Sequence, residues 1–265
     1  MGQVIRSVTS LSFVEMIGKK VRHSLAFAWA LVVFQIRVIK MLPATLLNFH
    51  FTVSQMYAIG VSSIPLVATT SIFTGGVTAY QMAYMFSDFV PDVYIGLAVG
   101  KSVFTELGPI LTAMVMAGRI GAAMCAELGT MAVTEQLDAM ACLNLSPYRY
   151  LLAPRFLATI IMMPILTILS AAVAISGAYG VAWAVKDLPL EIYIKGIKMF
   201  YTNSDVYIAL FKSFTFGYII AIFACYFGYH TRNGSEGVGE STKSSVVYAM
   251  TCILISSFTI SKLFL

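Results

Sequence analysis

Five stretches of this chain stay apolar for about twenty residues or more, the length of helix that crosses a hydrocarbon core of about 30 Å. No other feature restricts the fold so strongly. Inside lipid every backbone N–H and C=O must find its partner within the chain, which leaves only helices and closed barrels. A barrel would alternate apolar and polar residues in segments of about ten, and these runs do not alternate. Composition agrees: 59% of the residues are hydrophobic and 11% charged, against about 45–50% and about 25% in soluble domains. Too few charges remain to cover a soluble enzyme, and so apolar a chain does not stay disordered. The expected fold is an all-α, polytopic membrane protein.

The spans are predicted at about Val53–Tyr80, Val93–Met124, Phe156–Val185, Val206–Tyr229 and Ser244–Leu263. Leu25–Ile39 reads differently. Its apolar run is about a dozen residues, short for a span. Lys19, Lys20, Arg22 and His23 precede it, and Arg37 and Lys40 close it. That pattern suits an amphipathic helix in the headgroup plane, an interfacial elbow leading into the first span. Residues 1–50 are thus expected as an N-terminal cytoplasmic or interfacial segment and 51–265 as the transmembrane domain. Met1–Glu15 lacks the apolar core and cleavage site of a secretory signal.

Lys and Arg set the orientation. Eleven of them (Arg6, Lys19, Lys20, Arg22, Arg37, Lys40, Arg119, Arg149, Arg155, Arg232 and Lys243) fall on the N-terminal side of the membrane. Four (Lys186, Lys195, Lys198 and Lys262) fall on the other. The N-terminus is expected in the cytoplasm and, with five spans, the C-terminus outside. Cys125, Cys142, Cys225 and Cys252 form no CxxC pair and read as small core hydrophobes.

Most of the polar information lies between Thr105 and Arg155. Glu106 stands inside an apolar span, where a carboxylate needs a partner, a cavity or water. Gly108-Pro109 directly after it breaks the hydrogen-bond ladder and is expected to kink the helix. The plain alternative is an ion pair that only fixes packing. Gly118, Gly121, Ala122, Ala123 and Ala126 are spaced for close helix approach, with Arg119 expected at the cytoplasmic end of the span. From Val133 a short amphipathic helix follows: Val133, Leu137, Met140 and Ala141 share one face, while Glu135, Gln136 and Asp138 lie elsewhere. Thr134 or Thr130 is its expected cap. Such a helix can lie on the membrane or fill a groove on a partner protein.

Lys212 sits in the fourth span beside Phe211, Phe214 and Phe216. There its ammonium needs a counter-ion, water or a phosphate, unless it snorkels to an interface. Walls rich in Ser and Thr, with Lys212 and Lys101 at membrane depth, would suit a lipid that has both apolar tails and an anionic phosphate. The glycines of Arg232–Glu240 suggest a tight cytoplasmic loop. Without a GK[ST] sequence or a preceding strand they are no nucleotide site.

Taken in order, Glu106-Leu-Gly-Pro109, Ala117-Gly-Arg119, Ala126-Glu-Leu-Gly-Thr130-Met, Val133-Thr-Glu-Gln-Leu-Asp-Ala139 and Pro147-Tyr-Arg-Tyr-Leu-Leu-Ala-Pro-Arg155 form a specific pattern. So do Lys212-Ser213, Gly228-Tyr229 and Gly234-Ser-Glu-Gly-Val-Gly239. The chain resembles the MlaE/YrbE family of permeases over about Val53–Leu263. These are membrane subunits of ABC transporters that work with MCE-domain lipid-binding proteins. The resemblance implies a non-catalytic permease subunit of a phospholipid transporter in a bacterial inner membrane. It implies a homodimer carrying two cytoplasmic ABC ATPases, which bind the ATP, and a ring of MCE domains over its outer face. Thr134, Glu135, Gln136, Leu137 and Asp138 then correspond to a coupling helix. Glu106, Lys212, Gly108, Pro109 and Lys101 would belong to the lipid cavity. The family often has a basic residue immediately before the glutamate, where this chain has Thr105.

Two other classes are weighed. An intramembrane hydrolase needs His within the spans, and His23, His50 and His230 lie at or beyond their ends. There is no metal-ligand motif, no cofactor of the chain's own is called for, and no nucleic-acid partner is expected. An ion-coupled secondary transporter is the alternative, with Glu106, Lys101 and Lys212 as a proton relay, though no internal repeat is visible.

Overall fold

The computed structural model describes residues 2–46, 49–86, 90–199 and 201–264, with side chains in the first helix only at 18–19, 21–22, 25–43 and 45. Arg6, Lys20 and His23, counted above as basic flanks, therefore lie outside the described side chains. Every regular element among the described residues is helical. They are α1 (Gly2–Leu46), α2 (Phe49–Ile59), α3 (Ile64–Met85), α4 (Val93–Ser102), α5 (Gly108–Met116), α6 (Ala122–Val133) and α7 (Gln136–Cys142), followed by α8 (Ala153–Lys186), α9 (Leu190–Met199), α10 (Asn203–Tyr229) and α11 (Gly234–Phe264). The protein is an all-α, polytopic membrane protein, as its sequence predicts.

Among the described residues six helical stretches, not five, are long and apolar enough to cross a membrane. The additional one is Leu25–Pro43 in α1, 19 residues long. Its apolar window carries on through Arg37 and Lys40, which sequence reading had taken as its end. Nor is it amphipathic: Trp29, Val32, Ile36 and Ile39 are exposed while Phe34 and Val38 are buried, so apolar side chains surround it. Phe27 and Phe34 lie two turns apart, yet both rings touch Tyr226, with centroids 5.5 Å away in each case. The helix therefore crosses the end of α10 obliquely.

The first span is two helices. α2 stops at Ile59 and a single 3-10 turn, Val61–Ser63, precedes α3, whose first turn carries Pro65. α3 then lies along α8, tied by a buried Ser71–Ser170 hydroxyl bond of 2.8 Å.

The second span is one long helical run, Val93–Val133, containing two π turns. Arg119 lies in the second of them. The close approach expected beside it is made by Gly121, which faces Ile220 of α10, whereas Gly118 is exposed.

α9 is a short helix that the loop after α8 was not expected to hold. It docks on α4 through two glycines. A Cβ on Gly96 would come 2.4 Å from the Tyr193 carbonyl, and one on Gly196 would come 2.1 Å from the Val93 carbonyl. The Tyr193 hydroxyl donates to the Ile175 carbonyl at 3.1 Å, and burial pushes this phenol above its ordinary range, so it stays neutral.

The glycines after Arg232 form no loop. Asn233 and Gly234 take positive φ, 68° and 64°, and α11 starts at Gly234. A connection of four residues, 230–233, is enough because Asn and Gly adopt the left-handed region at little cost.

Apolar packing divides into two cores. One gathers Leu128, Phe156, Met163, Phe216 and Ile220. The other gathers Ile95, Val99, Val103, Ala178 and Tyr193. Val103 belongs to the second core and Ala113 to the first, so the segment with Glu106 bridges them.

Candidate functional site

Pro109 shapes the site. It has no N–H, and its ring conflicts with the carbonyl four residues back in a regular helix. The chain answers with a π turn at Val103–Leu107, in which the Gly108 N–H reaches the Val103 carbonyl. A Cβ at position 108 would lie 2.7 Å from that oxygen, so glycine is required before the proline. The expected kink thus takes the form of one widened turn. Pro109 also leaves the Thr105 carbonyl without its usual donor. Lys212 of α10 supplies one, Nζ to O at 2.8 Å.

The same ammonium donates to Glu106 Oε1 at 2.6 Å and to Ser261 Oγ at 2.7 Å. All three of its N–H groups are therefore used. Ser261 donates to Glu106, and Ser257, one turn earlier on α11, reaches Glu106 Oε2 at 3.4 Å. Glu106 is the counter-ion of Lys212. The Lys212 side chain is 0% exposed and that of Glu106 35% exposed, so Lys212 does not snorkel. An ammonium this deep is tolerated only because charge and hydrogen bonds are satisfied together.

Lys101 does not join this network. Its Nζ pairs with Asp205 Oδ1 at 2.6 Å, and Asp205 Oδ2 accepts the Thr202 N–H at 3.4 Å at the start of α10. The three residues considered as a relay are thus divided between two pairs. Sequence reading missed Asp205, Ser257 and Ser261. Thr202-Asn-Ser-Asp205 has the spacing of a capping box, which marks Asp205. Ser257 and Ser261 are four apart on α11, hence on one face.

Lys101, Gly108 and Pro109 line three different clefts. Lys101 shares one with Asp205, Phe104 and Tyr201, between α4, α9 and α10. Gly108 faces the hydroxyls of α3 and α8, and Pro109 faces Thr167 and Ala209. Successive helix positions turn by 100°, which is enough to send Gly108 and Pro109 to different clefts. On α10, an open apolar groove of about 490 Å³ is lined by Ser204, Tyr207, Ile208 and Phe211, with Phe264 of α11.

At the other end of the second span, Glu135 takes φ 60° and separates α6 from α7. Thr134 is no cap for the short helix. Its hydroxyl turns back to the Thr130 carbonyl at 2.8 Å, because it completes α6. The expected start at Val133 moves to Gln136 for the same reason. Leu137 is buried and anchors α7, while Glu135, Gln136 and Asp138 are exposed. Nearby, Arg155 Nη2 bonds Glu127 Oε2 at 3.0 Å. Of the cysteines, Cys125 and Cys225 are buried as expected, but Cys142 is exposed at the end of α7.

Long apolar helices, ionised side chains paired inside them and a short helix presented at one end define a polytopic integral membrane protein built around polar intramembrane contacts. The chain belongs to the MlaE permease family, whose model matches residues 52–263. It is similar to a probable ABC transporter permease protein of Rickettsia prowazekii (strain Madrid E), 36% identical over 257 residues, 96% of this chain and 98% of the relative. A probable ABC transporter permease protein of Synechocystis sp. is 41% identical over 217 residues, 82% of each chain. One from Pyropia yezoensis is 34% identical over 225 residues, 85% of this chain and 86% of the relative.

Proposed function

We propose that this chain is the membrane subunit of an ATP-driven phospholipid transporter. It acts as a homodimer, with ATP hydrolysed by two cytoplasmic ABC ATPases and lipid exchanged with an MCE-domain ring on the outer face. Membership in the permease family and the printed names of its relatives support the ABC class. The lipid assignment rests on one observation: an ammonium wholly withdrawn from solvent, held by a half-exposed carboxylate at a helix break. A lipid phosphate offers Lys212 the same kind of acceptor that Glu106 does, and the apolar groove beside Phe211 suits acyl chains. α7, anchored by Leu137 and exposing Glu135, Gln136 and Asp138, is the segment proposed to receive ATPase movement. The proposed location is a bacterial inner membrane with the N-terminus in the cytoplasm. If α1 lies across the bundle end, five crossings remain and the C-terminus is outside; if Leu25–Pro43 crosses, both termini share one side.

The test is to express the chain with its neighbouring genes, purify the assembly gently and identify what accompanies it. An ATPase, an MCE-domain protein and phospholipid are expected. A chain that purifies alone and works only with an ion gradient would restore the ion-coupled reading. In the intact complex, Glu135→Ala with Asp138→Ala is expected to lower lipid-stimulated ATP hydrolysis severalfold, and an unchanged rate would remove α7 from that role.

A further inference from the structure

The face of the π turn opposite Lys212 borders a small notch between α3, α5 and α8. Val103, Leu107 and Gly108 form one wall. Thr70, Ser71 and Thr74 of α3, Ser170 of α8 and Thr112 of α5 bring five hydroxyls to the others. The protons of these hydroxyls can be followed one by one. Thr70 donates to the Leu66 and Val67 carbonyls, Ser71 to the Val67 carbonyl at 2.6 Å, and Thr74 to the Thr70 carbonyl at 2.8 Å. With the Ser71 proton spent on Val67, the Ser71–Ser170 contact of 2.8 Å must use the proton of Ser170. Four of the five hydroxyls therefore keep only lone pairs to offer. Thr112 differs. It is 3% exposed, and its Oγ1 has no hydrogen-bond partner.

A buried hydroxyl left unpaired costs about 1–3 kcal/mol, so one beside four acceptors calls for a guest. The guest must donate hydrogen bonds, because acceptors are what the wall presents. It must also be small, since the notch has room for about one water-sized group. We propose that the notch is a subsite for a single water-sized hydrogen-bond donor carried by a lipid headgroup, a primary ammonium or a hydroxyl. This deepens the phospholipid reading and rests on it. The subsite takes ethanolamine or glycerol headgroups and rejects choline, whose trimethylammonium is too large and has no N–H.

Thr112→Val is the informative variant. It exchanges an unpartnered hydroxyl for a methyl group of nearly the same size, so no existing bond is lost. The assembly, purified from membranes containing phosphatidylethanolamine, phosphatidylglycerol and phosphatidylcholine in equal amounts, is analysed for retained lipid by mass spectrometry. Wild type is expected to enrich ethanolamine or glycerol lipid over choline lipid by about two- to tenfold, what one net hydrogen bond is worth. Thr112→Val should abolish that enrichment, while Thr69→Val, on the exposed side of α3, should keep it. Enrichment of only the ethanolamine or only the glycerol lipid identifies the donor as ammonium or hydroxyl. Equal retention of all three by wild type, or an enrichment that Thr112→Val leaves untouched, means that the notch holds water alone and overturns the subsite. Purification without any phospholipid would overturn the substrate class itself.

Discussion

Two ion pairs tie the second span to α10, and they are built in opposite senses. In Lys212–Glu106 the cation is the withdrawn partner, 0% exposed against 35% for the acid. In Lys101–Asp205 the acid is withdrawn, 7% exposed against 40% for the lysine. Both contacts measure 2.6 Å, so distance alone would call them equal. Support separates them. Asp205 sits in the first turn of α10, where the helix dipole and the Thr202 N–H stabilise a negative charge without any lysine. Lys212 lies inside a helix, and apart from Glu106 it has only the neutral oxygens of Thr105 and Ser261. The outer pair is thus an ornamented helix start. The inner pair is a charge that the fold must keep matched.

The sharpest way to break the comparison is to remove the exposed partner of each pair. Glu106→Ala strands a buried ammonium and should destabilise the detergent-solubilised protein by about 3–5 kcal/mol, read as a large fall in its thermal midpoint. Lys101→Ala leaves Asp205 its helix terminus and should cost about 1–2 kcal/mol. Similar losses in the two variants would show that burial of the cation is not what distinguishes the pairs. Charge, rather than shape, is isolated by joining Glu106→Gln with Lys212→Met, which should recover most of the loss because no ion is left unmatched. Recovery of folding without recovery of lipid transport would assign the charges to function.

How much of this was legible beforehand follows from what each signal depends on. Apolar length and the Glu106-Leu-Gly-Pro109 break are local properties, and the spans and the widened turn were accessible from them. Lys212 and Glu106 were singled out because charges inside apolar runs are costly wherever their partners lie. Their pairing also depends on α11, where Ser257 and Ser261 stand among other Ser and Thr residues and share a face without saying what they face. Asp205 was hidden by its position outside the expected span, although Thr202 marked it as a capping residue. The start of α7 slipped because Thr134 has the side chain of a cap, while its hydroxyl serves the preceding helix. The apolar stretch of α1 was read too short because Arg37 and Lys40 were allowed to end a window that continues to Pro43.

A smaller effect sharpens the role of the helix start. Asp205→Asn keeps an oxygen for the Thr202 N–H and removes the charge that Lys101 meets. It should cost about 0.5–1 kcal/mol, less than Asp205→Ala, which loses the cap as well. Equal losses would mean that the cap contributes nothing and the ion pair carries the whole effect.

The smallest effect is the dependence on salt, and it probes solvent access directly. The Debye length falls from about 10 Å at 0.1 M to about 3 Å at 1 M, and screening requires ions to approach the charges. Lys101 is open enough for that and Lys212 is not. Coupling energies from double-mutant cycles, Lys101→Met with Asp205→Asn and Lys212→Met with Glu106→Gln, should therefore respond differently to salt. The outer coupling should shrink by a few tenths of a kcal/mol between these salt concentrations, as exposed pairs do, while the inner one stays constant. A fall in the inner coupling as large as in the outer would mean that water and ions reach Lys212 in the working protein. The closed arrangement around Glu106 and Ser261 would then be one of two states, and the ammonium would be available to an anion without prior displacement of its carboxylate.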